Sequence, residues 1–325
     1  MKEFRTELTL PKANARMNLK SGILTQGSCF SEAIGHRFKL HKMNASVNPF
    51  GVIYNPVSIH KVLTCSLFNE PLPDHTFLQH HDIHYNFNFH SEFSDLHKTA
   101  LISRLADTVE TNHFFLKDAE WLLITYGTAW VYERKDTGEI VANCHKMPAD
   151  LFTKSLLRHE DILSSFSTFF HSLKQLNPKI KIILTVSPVR HVKDTLELNS
   201  VSKSVLRLAC HSVAGNFNGV EYFPAFEIMM DDLRDYRFYK PDMLHPTEEA
   251  EDYIWEKFLA RYADDDTIDF MTKWKAILSA INHKAFHPES TSHQQFLRHT
   301  LKKLGELKSS VDVEEEELRI KNRML

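Results

Sequence analysis

Two short segments carry residue types whose spacing can do chemistry. Gly27-Ser28-Cys29-Phe30-Ser31-Glu32 sets a hydroxyl and a thiol side by side, just after the apolar run Gly22-Ile-Leu-Thr-Gln26. Phe30, Ile34 and Phe38 then repeat every four positions, as one face of a helix does. Gly permits a tight strand-to-helix turn. A nucleophile in that turn sits at a helix N-terminus, where the dipole and free N–H groups favour negative charge. The turn therefore predicts a thiol whose pKa falls toward the thiolate. The plain alternative is a buried Cys beside a Ser that caps the helix. The second segment is Lys240-Pro-Asp242-Met-Leu-His245-Pro246, ahead of an amphipathic stretch through Ala250, Ile254 and Phe258. An Asp and a His three residues apart on a turn can share a hydrogen bond. The Asp then fixes the imidazole tautomer, and the His serves as general base.

Both segments need a scaffold that brings them together. Besides the run at Gly22–Gln26, apolar runs occur at Ala45–Pro49, Trp121–Tyr126, Lys181–Val186 and Val220–Phe223. Each reads as a buried parallel strand. Asn55-Pro56 reads as an N-cap followed by Pro at the first helical position. Helical patterns run from about Leu151 to Leu173 and from about Leu196 to Val213. Strand-helix alternation of this kind predicts a doubly wound parallel sheet of about five strands. Ligands in such sheets bind beyond the carboxyl ends of the strands, where both segments would fall. Arg190 and His191, just past the Lys181–Val186 strand, are then placed to hold an anionic part of a substrate.

Residues 65–97, which include DHTFLQHHDIHYNFNFHSEF, lack a clean period and read as an insertion near the site's rim. Their His residues are of a type that binds zinc, but the spacing matches no zinc pattern, so no metal is expected. Beyond residue 264, Phe270, Trp274, Ile277 and Ile281 form a helical face, and Ser292 to Gln295 reads as a capping box. Glu314 to Glu317 reads as a solvated tail. The expected division is an α/β domain over 1–264 and a helical extension over 265–325.

The 39 Lys and Arg against 42 Asp and Glu leave a net charge of −3, which argues against a nucleic-acid binder. The opening residues carry acidic groups and no apolar core of a secretory signal, and no long apolar run reads as a membrane span. Cys29, Cys65, Cys144 and Cys210 show no paired spacing. A cytoplasmic location with free thiols is the expectation.

The motif Gly27 to Gly35 resembles the opening of the GSCFA family, with Ser31 where the family name has Ala. Asn48–Pro56, Phe89-His90-Ser91, Gly127-Thr-Ala-Trp130, Asn143-Cys-His-Lys146, Ser187-Pro-Val-Arg-His191 and Asp242–Pro246 also resemble that family, in order and over most of the chain. The resemblance implies kinship with the GDSL/SGNH hydrolases, hence a flavodoxin-like three-layer α/β/α sandwich and ester or acyl chemistry. Matched block by block, Cys29 takes the place of the superfamily's nucleophilic Ser, and Ser28 that of its Asp. Gly51 matches the Gly of the second block, Gly127 opens the third, and Asp242 with His245 matches the last. Ala129 stands where the superfamily has an oxyanion Asn. The hole would then be made by the N–H groups of Cys29 and Gly51, with a side-chain donor from Asn143 or His145. The plain alternative for the latter pair is a structural turn.

These readings converge on an acyl hydrolase or acyltransferase that acts on a small-molecule ester or acyl substrate without a cofactor. Cys29 would be the nucleophile, with Ser28 as the other candidate. A different class also fits: a protein that binds a small molecule or carbohydrate on a degenerate hydrolase scaffold.

Overall fold

The computed structural model describes residues 5–325. Strand β1 (Ile23–Gly27) runs into α1 (Cys29–Leu40), β2 (Ala45–Val47) and α2 (Pro56–Phe68). A hairpin of β3 (Phe77–His80) and β4 (Ile83–Asn86) leads to α3 (Lys98–Asp118) and β5 (Trp121–Tyr126). Strands β6 (Trp130–Arg134), β7 (Ile140–Val141) and β8 (Phe152–Leu156) form a small antiparallel sheet ahead of α4 (His159–Leu176). Then come β9 (Lys181–Val186), α5 (Leu196–Asn216), β10 (Val220–Tyr222) and the short turn α6 (Ala225–Glu227). Helices α7 (Glu248–Tyr262), α8 (Asp265–Asn282), α9 (Thr291–Gly305) and α10 (Glu314–Lys321) follow.

The main sheet has the order β10-β9-β5-β1-β2, with every pairing parallel. This is the flavodoxin-like order, and its switch point lies between β1 and β5. Alternate residues of each strand supply the two cores. Leu24, Leu122, Ile124, Ile182 and Leu184 pack with α2, α3, α4 and α5. Ile23, Trp121, Leu123 and Ile183 pack with α1 and α7, and the same cluster continues into Trp274, Ile281, Leu304 and Ile320 of the last helices. The result is a three-layer α/β/α sandwich. Its C-terminal helices join the second core rather than build one of their own. Trp274 Nε1 donates to Leu40 O at 2.7 Å, which ties α8 to the end of α1.

Local chemistry explains the ends of several elements. Asn55 caps α2 by accepting from the Ser58 N–H at 2.8 Å, with Pro56 first in the helix. Thr247 caps α7, and Asp264 caps α8.

Four expectations need correction. The helix expected from about Leu151 starts only at His159, because Phe152–Leu156 pairs as a strand with β6. The segment 65–97 is no irregular insertion throughout: its front continues α2, and its middle is the β3–β4 hairpin. Helix α9 is capped by Ser290, which accepts from the His293 N–H, rather than by Ser292. Glu314 to Glu317 opens α10, and Glu316 is buried against Lys42 at 2.8 Å.

Candidate active site

At the C-terminal end of β1 the chain turns directly into α1. The Ser28 N–H donates to Thr125 O at 3.2 Å, which holds the turn against β5. A Cβ on Gly27 would lie 2.2 Å from Thr125 O, so only glycine lets the two strands approach this closely. Ser28 is the N-cap of α1, fully buried, yet its Oγ makes no hydrogen bond. Cys29 is the first helical residue and is half-buried. Burial pushes its thiol pKa up. The N–H groups of Phe30 and Cys29 itself and the charge of Lys203 pull the other way, but the net shift is upward. The net shift thus runs against the lowered thiol expected from the helix N-terminus, because burial outweighs the N–H groups of the first turn.

Asp242 and His245 sit on the tight turn between Tyr239 and α7, closed by Lys240 N–H to His245 O at 2.8 Å. Asp242 Oδ1 accepts the N–H groups of Leu244 at 2.9 Å and His245 at 3.0 Å. Its Oδ2 lies 2.6 Å from His245 Nδ1. The two backbone donors and the imidazole hold the Asp242 pKa down to about 2. The carboxylate can only accept, so His245 Nδ1 carries the proton of this bond and Nε2 is the ring atom left to face a substrate. The pair is open to solvent on one side, with side-chain exposures of 46% for Asp242 and 42% for His245.

Three further side chains link these two turns. His191 follows β9, its N–H donates to Asn199 Oδ1 at 2.9 Å, and its Nε2 is buried without a partner. Burial, helped by the charges of Lys203 and His245, lowers its pKa to about 4. Tyr54 meets His191 edge-on at 5.1 Å between ring centroids, and burial pushes its hydroxyl pKa up. Lys203, on α5, is buried and donates to Gly127 O at 2.8 Å and Ser187 O at 2.7 Å. Gly127, Tyr54 and His191 thus meet at the edge of the sheet where β1 turns into α1, and the His245 turn is joined to that edge through Tyr239, which Arg190 holds. Arg190 turns aside, donating to Tyr239 Oη at 3.1 Å with its guanidinium over that ring.

The expected oxyanion donors fare differently. The Gly51 N–H is already given to Asn48 O at 2.7 Å, and the Gly127 N–H to Tyr54 O at 2.7 Å, so neither is free. Asn143 Nδ2 donates to Ser91 Oγ at 3.0 Å. Both His145 ring nitrogens are engaged, with Ser91 Oγ at 3.1 Å and Asn86 O at 2.8 Å. Burial lowers the His145 pKa to about 4. Asn143 and His145 thus brace the β4 end of the insertion rather than face a substrate. Ala129 is a core residue whose N–H donates to Ser202 Oγ at 2.7 Å. The Cys29 and Phe30 N–H groups, in the first turn of α1, remain as donors.

Lys203 and Tyr54 were not singled out from the sequence. The signal for Lys203 was its register: Asn199, Lys203, Leu206, Cys210 and Val213 share the buried face of α5. Among the described residues, no group of three His, Cys, Asp or Glu side chains is placed to hold a metal ion. In the His-rich segment, His75 pairs with Glu139 at 3.2 Å. A hollow of about 1040 Å³ between α1, α7 and α8 is lined by Arg37, Glu251, Trp255 and Met271, away from Cys29 and His245. Among the described residues, no helix is long and apolar enough to cross a membrane.

Residues 22–258 match the model of the GSCFA family, and residues 274–325 match that of the C-terminal domain of GSCFA domain proteins. None of the curated proteins matches the chain. A similar solved structure is an acetyl xylan esterase (Est2A) from the rumen bacterium Butyrivibrio proteoclasticus. It is 12% identical, has a TM-score of 0.32, and the match covers 81% of this chain and 67% of that one.

Proposed function

The chain belongs to the GSCFA family, and from its site we propose that it is an acyl hydrolase or acyltransferase related to the SGNH esterases, with Cys29 as nucleophile. The Cys29 sulfur attacks the carbonyl carbon of an ester or thioester, and His245 Nε2 takes the thiol proton. Asp242 holds the imidazole and offsets the charge it gains. The tetrahedral oxyanion is met by the N–H groups at the start of α1. It collapses as the leaving group departs with the proton from His245, and water or a second acceptor then releases the acyl group from sulfur.

What supports this reading is the Asp242–His245 pair, anchored by two backbone N–H groups, together with a half-buried thiol on Cys29 at the start of α1. The buried Ser28 hydroxyl is a weaker candidate for attack. The test is turnover of a panel of p-nitrophenyl esters and acyl thioesters. Cys29→Ala and His245→Ala should abolish it, and Ser28→Ala should leave a sizeable part. Activity that survives Cys29→Ala and is lost in Ser28→Ala overturns the assignment.

A second reading, a small-molecule or carbohydrate binder on a degenerate scaffold, is favoured by the engaged N–H groups of Gly51 and Gly127 and by the core role of Ala129. Complete inertness of the parent chain toward the whole panel, with saturable binding of a sugar or acyl ligand, would select it.

A further inference from the structure

Lys203 is the one lysine of α5 that points into the core. Two of its three N–H donors go to the carbonyls of Gly127 and Ser187, the residues that end β5 and β9. The nearest aromatic face is Phe226, at 5.9 Å. Among the described residues, no carboxylate pairs with it. A buried ammonium without a counter-ion is costly, and two neutral carbonyls do not neutralise it. Gly127 and Ser187 lie at the sheet edge where the Ser28 N–H meets Thr125 O and Cys29 opens α1, so the ammonium is held at the end of the sheet that carries the thiol, and the two charges act on each other there.

We infer that Lys203 is a positioning residue of this site: its ammonium, anchored on the carbonyls of Gly127 and Ser187, stabilises the negative charge that forms on Cys29. The inference rests on Cys29 as the nucleophile. It explains how a thiol at this position ionises at all. Burial disfavours the thiolate and, by itself, also disfavours the ammonium, whose pKa it lowers to about 7. Opposite charges formed together offset that penalty, which neither group does alone. Glu32 on α1 opposes the thiolate, while His245 and Asp194 act on His191 beside it. Lys203 is the cation of this set that bears directly on the sulfur.

The test is iodoacetamide labelling of the full chain across pH, read by mass spectrometry at Cys29, with Cys65 as the internal control. Lys203→Met should move the Cys29 midpoint up by about one unit, which is about tenfold slower labelling at a pH below it. Cys65 should be unchanged, and Lys203→Arg should recover part of the rate. An unchanged Cys29 midpoint in a folded Lys203→Met protein overturns the inference. Should that variant fail to fold, the parent chain reads the same coupling from the other side. Lys203 should titrate at higher pH by 13C NMR when Cys29 is carboxymethylated, and so anionic, than when it is carbamoylmethylated and neutral. Equal midpoints overturn the inference. Failure of the underlying reading looks different: Cys29→Ala keeps its turnover, and Cys29 labels no faster than Cys65 at any pH.

Discussion

The Tyr54 ring stands edge-on to His191, 5.1 Å between centroids, and the two together close over Gly127. A Cβ at Gly127 would lie 2.9 Å from Tyr54 Cδ1 and 3.3 Å from His191 Nε2. Gly127→Ala should therefore displace both rings. The expected loss of stability is about 1–3 kcal/mol, as for other overpacked sites. Chemical denaturation measures it, and a fall in turnover larger than the fall in substrate affinity should accompany it.

Asp242→Asn separates the two jobs of the carboxylate. The amide oxygen still accepts from the Leu244 and His245 N–H groups, so the turn should persist. The amide nitrogen cannot accept from His245 Nδ1, so the tautomer is lost. The pair is solvent-exposed and screened, which moderates the effect. A fall in kcat of about 10- to 100-fold is expected, less than at a fully buried triad. KM and the thermal midpoint should change little. Steady-state kinetics and calorimetry check this, and an unchanged kcat would remove Asp242 from the mechanism.

Two buried histidines, His60 and His145, and the partly buried His191 should make the fold acid-sensitive. Burial lowers His60 to about 3, and His145 and His191 to about 4. In the unfolded chain each takes its proton near about 6.5. Between those values the unfolded state binds more protons, so stability rises with pH. It should be flat with respect to these groups above about pH 6.5 and fall by roughly 1 kcal/mol per pH unit per histidine below it. Urea unfolding at a series of pH values measures the slope. His60→Gln should make the slope shallower by about a third, since His145 and His191 keep their shares, and it also removes the ring that bridges Tyr126 Oη at 2.7 Å and Ser165 Oγ at 2.9 Å.

The sequence showed most clearly what hydrophobic burial dictates. β5 and β9 were legible to the residue because both faces of a central parallel strand are covered, which leaves a continuous apolar run. The Asp242–His245 pair was legible because its spacing is local. The β3–β4 hairpin was not, since its strands are half-exposed and carry His, Asn and Gln in place of an alternating pattern. α10 was missed because four successive Glu read as solvated, and only the tertiary partner Lys42 explains the buried one. The ionisation of Cys29 was misjudged for a related reason. The helix N-terminus is visible in sequence, but the desolvation that opposes it depends on what packs over the turn.

The shared second core has a consequence for how the chain is made. The sheet face that carries Leu24, Leu122 and Ile182 has its covering helices in hand once α5 is complete at Asn216. The opposite face, with Ile23, Leu123 and Ile183, waits for Trp255, Trp274 and Leu304. During synthesis one side of the sheet is therefore dressed early, while the other stays greasy until the last fifth or so of the chain has emerged. A ribosome stalled shortly after α7 should hold a half-covered sheet, open to chaperones and to strand-edge aggregation, even though every residue of the proposed reactive centre has already been translated.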